Sequence, residues 1–157
     1  PIAGEATANP RANEIVDWAM ITPCQAPGPD SSLLCLAPVR TKGGRKMGTI
    51  GIVGSGPTGI YTIAALVANA TSVDITLFEQ GDRAGVGMPY HGDSNTRLML
   101  ANIPSIEIPP IGMTYLDWLR GQPDDWLGRY GIDKAKLHER QFLPRVLLGQ
   151  YFRDQLL

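Results

Sequence analysis

At 157 residues the chain has the length of one ordinary domain and room for a substantial core. Hydrophobic residues make up 43% and charged residues 18%, a globular composition rather than a disordered one. The formal net charge of −1 gives no electrostatic reason to expect nucleic acid or an anionic membrane as partner.

No apolar run approaches the ~20 residues that span a bilayer. The opening "PIAGEATANPRANEIVDW" is mixed throughout and lacks the features of a signal peptide, so a cytoplasmic protein without a membrane partner is expected. Within it, "ANEIVDWAMI" places Ile15, Trp18, Ala19 and Ile21 at helical spacing and predicts a short amphipathic helix. The following stretch, up to Met47, is rich in Pro, Gly and Ser and shows no sustained helical or strand period. Residues 1–46 therefore read as an irregular leader or extension, and residues 47–157 as the folded domain. Cys24 and Cys35 match neither a redox pair nor a zinc cluster and are expected as reduced thiols. The sequon "NAT" at Asn69 to Thr71 is a chance match if the chain is not secreted.

The pattern sharpens at Thr49. "TIGIV" is a β-branched run of the kind a buried parallel strand requires. "PTGIYTIAALVANA" sets Ile60, Ile63, Ala64 and Val67 on one helical face, with Pro57 tolerated at the start. "DITLF" is a second strand, ending in Glu79. Strand, helix and strand in this order make a βαβ unit. A glycine-rich loop follows, then a short extended segment, "RLMLANIP". Three helices complete the chain. "MTYLDWLRG" has Thr114 as N-cap and Gly121 as stop, and "PDDWLGRYG" carries Asp124 and Asp125 in its first turn. "LPRVLLGQYFRDQLL" directs Val146, Leu147, Tyr151 and Leu157 toward a core.

Gly54, Gly56 and Gly59 form G-x-G-x-x-G between the first strand and its helix. In a dinucleotide site the first glycine permits the tight turn, the second lets a pyrophosphate approach the backbone, and the third lets the helix pack on the strand. The anion sits at the helix N-terminus, where free N–H groups and the helix dipole favour negative charge. Three glycines alone are weak evidence. Here they follow a strand and open a helix, and Glu79 stands twenty positions after Gly59, where a carboxylate accepts from ribose hydroxyls. An acid at that place disfavours a 2′-phosphate and hence NADP at this turn.

"IGIVGSGPTGIYTIAAL...DITLFEQGDRAGVGMPY" resembles the N-terminal FAD-binding portion of two-dinucleotide flavoproteins, and more narrowly the FAD–NAD(P)-binding family. The narrower resemblance rests on "GVGMPY", "LMLANIPS" and "FLPRVLLGQYF", so it extends over residues 48–157. It implies an α/β fold, a Rossmann-like βαβ unit that is the incomplete N-terminal part of a larger flavoprotein, with a helical C-terminal part. It implies FAD as cofactor, its ADP half held by Gly54, Ser55, Gly56, Pro57, Thr58, Gly59, Glu79 and Gln80. Arg83 would reach a phosphate or stack near the adenine, unless it is a solvated loop residue. Gly85 and Gly87 would let the next loop pass close to the cofactor, although "GVG" departs from the adjacent glycine pair of related flavoproteins. Asn102 would support the flavin-side loop through side-chain hydrogen bonds. Arg145 would clamp a loop or a phosphate, or form a salt bridge.

His91 reads as a surface loop residue, with an acid–base role beside the flavin as the sharper alternative; His138 reads as solvated or capping. No Ser-His-Asp, zinc or P-loop pattern is present. A second glycine turn for a nicotinamide, which the resemblance implies for a longer parent using NAD(P), is not visible either. The expectation is an FAD-dependent, NAD(P)H-linked oxidoreductase part, with the remainder of the parent or a partner subunit supplying the rest and this chain alone inactive. A non-catalytic adenine-nucleotide-binding module is the alternative.

Overall fold

The computed structural model describes residues 23–24, 34–40, 48–69, 73–81 and 83–156. The helix expected at 12–21, the sequon's Thr71, Met47 and Leu157 lie outside them. Among the described residues the strands are β1 (Pro23–Cys24), β2 (Leu34–Arg40), β3 (Gly48–Val53) and β4 (Val73–Glu79), in the spatial order β1-β2-β4-β3. The helices are α1 (Pro57–Ala68), α2 (Tyr115–Gly121), α3 (Asp124–Gly128) and α4 (Arg145–Leu156).

β3, α1 and β4 form the expected βαβ unit. β3 and β4 run parallel, with Ile50 beside Ile75 and Ile52 beside Leu77. The β-branched residues of β4 alternate, so Val73, Ile75 and Leu77 are buried on one face. α1 lays Ile60, Ile63 and Val67 into the core. Each such side chain contributes roughly 1.5–3 kcal/mol by leaving water. β3 differs from expectation. It is the sheet's outer strand among the described residues, and Thr49, Gly51 and Val53 are exposed, Val53 by 85%.

Two segments before Met47 are strands, although the composition there predicts neither strand nor helix. β2 runs antiparallel to β4, pairing Leu34 with Glu79 and Arg40 with Asp74. The register shifts between Leu36 and Val39, on either side of Pro38. Proline has no N–H to give to a ladder and is tolerated at such irregularities. Cys24 stands opposite Cys35 in the β1–β2 register.

The core of the second half is built around α4. Val146, Leu147, Tyr151 and Phe152 are buried, as are Leu148 and Leu156. The Tyr151 hydroxyl accepts from the Ile111 N–H at 3.1 Å and donates to the Met113 carbonyl at 2.8 Å. Phe152 packs edge-on against Tyr61 of α1, centroids 5.9 Å apart, which joins the helical half to the βαβ unit. Thr114 caps α2 by accepting from the Asp117 N–H at 3.1 Å, a contact of about 1 kcal/mol. Gly121, expected as the stop, is the last helical residue. Asp124 and Asp125 lie in the first turn of α3, as their charge favours.

Candidate dinucleotide site

The turn from β3 into α1 depends on two glycine properties. Gly54 has φ +88°, a left-handed conformation that side chains resist. Its N–H donates to the Phe78 carbonyl at 2.7 Å, which fastens the turn to β4. A Cβ on Gly59 would lie 2.3 Å from the Gly54 carbonyl oxygen. The helix can approach the strand this closely only because that carbon is missing.

α1 begins with Gly56 as N-cap, no side-chain cap, Pro57 in the first turn and no acidic residue there. The Ile60 N–H bonds back to the Gly56 carbonyl at 3.1 Å. Thr58 and Gly59 therefore present the open N–H donors of the helix end. Uncapped donors at the positive end of a helix dipole fit an anion. An open depression beside them is lined by Ile52, Gly54, Gly56, Pro57, Thr58 and Gly59.

Glu79 ends β4 next to this turn. Its Oε2 accepts from the Ser55 N–H at 2.9 Å and from the Ser55 hydroxyl, and its Oε1 accepts from the Gly81 N–H at 3.0 Å. Burial alone would raise its pKa, but the hydrogen bonds from Gly81, Ser55 and Gln80 outweigh it and hold the carboxyl below its usual range. Glu79 is thus an anionic acceptor at neutral pH, and Oε1 is its less committed oxygen.

The loop after β4 crosses the turn. Gly87 has φ +71°, and a Cβ there would come within 3.0 Å of the Gly56 Cα and 3.1 Å of the Pro57 Cδ. A Cβ on Gly56 would stand 3.7 Å from the Gly87 Cα, an ordinary contact. Gly85, at φ +92°, leaves no room for a Cβ, which would lie 2.7 Å from the Cα of Arg153 in α4. The smallness of this loop thus serves its close packing against α1 and α4. Gly149 completes the junction, since its Cβ would meet Tyr90 and Val86 at under 3.0 Å. Gly149 belongs to the stretch "FLPRVLLGQYF" on which the family resemblance rests, but the sequence assigns it no packing role.

The structure brings Gly54, Ser55, Gly56, Pro57, Thr58, Gly59, Glu79 and Gly87 into one neighbourhood. Gln80 and Arg83 are exposed just beyond it. Asn102 departs from expectation: it is exposed, and its side chain makes no hydrogen bond among the described residues. Arg145 clamps a loop, its Nε donating to the Leu100 carbonyl at 3.0 Å and its N–H to the Met99 carbonyl at 2.8 Å. His91 Nδ1 lies 3.3 Å from the Asp93 carboxylate in a surface loop, and His138 is exposed. No group of His, Cys, Asp and Glu among the described residues could hold a metal ion. None of the described helices is long and apolar enough to cross a membrane.

A model of the family described as FAD-NAD(P)-binding matches residues 51–157. The uncharacterized protein YdhS of Escherichia coli (strain K12) is 61% identical over 111 residues, which make up 71% of this chain and 21% of that protein. The chain thus spans about a fifth of the length of the curated relative it matches. No solved structure matches it.

Proposed function

The chain belongs to the FAD-NAD(P)-binding family, and from that premise we propose that it holds the ADP half of FAD as the N-terminal part of a longer flavin-dependent oxidoreductase. Family membership supports a flavin or nicotinamide dinucleotide as ligand. The observation that carries the choice of place is the uncapped N-terminus of α1, opening behind the left-handed turn at Gly54 with an anionic carboxylate at the end of the next strand. Thr58 and Gly59 would donate to the pyrophosphate, and Glu79 Oε1 would accept from a ribose hydroxyl. Gln80 and Arg83 would border the adenosine, with Gly56 and Gly87 forming the floor under the phosphates. FAD is favoured over NADP because a 2′-phosphate would face the Glu79 carboxylate. When bound, the flavin supplies the redox chemistry, while the protein binds and orients it.

On this reading residues 47–157 are the dinucleotide-binding unit and residues 1–46 an extension that lends β2 to its sheet. The rest of the parent, or a partner subunit, would enclose the flavin ring, with NAD(P) as its hydride donor. The chain alone should not oxidise NADH or NADPH above the free-flavin background.

Calorimetric titration with FAD and ADP, on the parent chain and on Gly56→Val, tests the assignment. The first carbon of the new side chain fits, but its two methyls extend where the pyrophosphate must approach. Binding should be lost while the melting temperature stays close to the parent's. Affinity kept within about threefold, less than one hydrogen bond's worth, would remove the phosphate from this turn. Colourless protein that binds ADP but not FAD would favour the non-catalytic adenine-nucleotide module.

A further inference from the structure

Ser55 occupies a variable position of the glycine motif, and its side chain is completely buried, at 0% exposure. Both of its donors go to one atom, since the N–H and the hydroxyl each donate to Glu79 Oε2. The hydroxyl oxygen also accepts from the Gly85 N–H at 2.8 Å. A hydroxyl has a single proton to donate, so this side chain has no donor left for a ligand. Ser55 and its two partners come from separate parts of the chain: the turn after β3, the end of β4, and the loop that Gly85 presses against α4.

We propose that Ser55 is the positioning residue of the site, tying the Glu79 carboxylate to Gly85 so that Glu79 presents Oε1 outward and the acid is coupled to the loop crossing the glycine turn. The proposal deepens the dinucleotide reading and, for its ligand-dependent part, rests on it. Without Ser55, Oε2 loses both the hydroxyl that fixes its rotamer and the link to the loop. The Gly85 N–H, buried between the turn and α4, loses its acceptor. With Ser55 in place, Oε2 already receives two donors, so a ribose can use only Oε1. Glu79 should then read one of the two ribose hydroxyls rather than both.

The test uses the full 157-residue chain and Ser55→Ala. Two measurements need no ligand. Amide hydrogen exchange at Gly85 should accelerate about tenfold or more once its acceptor is gone. The Glu79 carboxyl titration, followed by carbon NMR, should move up in pH. The third measurement compares ADP with its 2′-deoxy and 3′-deoxy analogues by calorimetry. In the parent, one deoxy analogue should lose about tenfold and the other little. In Ser55→Ala the two losses should become similar, because Oε2 is released to the second hydroxyl. Should Ser55→Ala not fold, Ser55→Cys, with a slightly larger side chain, keeps a weak donor and acceptor at this place, weakens both hydrogen bonds and shifts the same readouts by less.

Unchanged Gly85 exchange together with an unchanged Glu79 titration would overturn the proposal. Equal losses for the two deoxy analogues in the parent would overturn the one-hydroxyl part. If the parent binds no ADP at all, the dinucleotide reading fails, and the positioning role is still decided by the two ligand-free measurements.

Discussion

Gly59→Ala is a direct probe of how α1 meets β3. The added carbon would lie 2.3 Å from the Gly54 carbonyl oxygen and 3.4 Å from the Gly54 carbonyl carbon. The obstacle is backbone, so no side chain can swing aside. Nor can the turn retreat freely, because the Gly54 N–H is held at 2.7 Å from the Phe78 carbonyl. Overpacking of this kind costs about 1–3 kcal/mol, and stretching the Gly54 bond adds about 1 kcal/mol. Alanine's better helix propensity returns about 1 kcal/mol. The balance is a loss of about 2 kcal/mol, equivalent to roughly 4–8 °C in melting temperature for a chain of this size. Gly121→Ala is the matched control, because Gly121 is also helical but its added carbon would meet nothing within 4 Å. It should melt at or slightly above the parent. Circular dichroism melts of the three proteins decide the matter. A Gly59→Ala variant as stable as the parent would mean that close approach of helix and strand does not constrain this turn.

Glu79 should contribute to the acid limb of stability. Its folded pKa is lowered, so the stabilisation is fully present above its unfolded value, about 4.3, and is lost as pH falls through the folded one. Glu79→Gln should flatten urea-unfolding stability between about pH 5 and the acid end, and an unchanged slope would detach the carboxyl from the hydrogen bonds assigned to it. Deleting residues 1–46 should lower the melting temperature by several degrees and promote self-association, because it strips β2 from β4 and uncovers a strand edge. A deletion that melts with the parent and stays monomeric would show that the pairing of β2 with β4 adds nothing to the domain's stability.

The βαβ unit was legible because its signals are local. The β-branched runs at Thr49–Val53 and Asp74–Phe78, and the helical spacing of Ile60, Ile63 and Val67, each specify an element without reference to the rest. The N-cap at Thr114 and the acids of α3 were readable for the same reason. β2 was not, since its Pro-containing strand is chosen by the exposed edge of β4 rather than by its own period. Ser55 looked like one more residue of a ligand-binding turn. Its burial appears only when residues 24 and 30 positions away, Glu79 and Gly85, close around it. Gly85, Gly87 and Gly149 show the same limit, because a missing Cβ does not reveal whether a cofactor or a neighbouring backbone needs the space. Asn102, assigned a supporting role by resemblance, makes no such side-chain hydrogen bond among the described residues.

The central claim is that the ADP half of a dinucleotide sits on the N-terminus of α1 with its ribose at Glu79. Amide NMR of the labelled chain during an ADP titration tests it most directly. The account predicts large, saturable shifts at Gly56, Thr58 and Gly59, which face the phosphates, and at Gly81, whose N–H shares Glu79 Oε1 with the ribose. Shifts confined to the outer groove of α1 lined by Tyr61, Ala65 and Asn69, or no saturable shift at any amide, would contradict it.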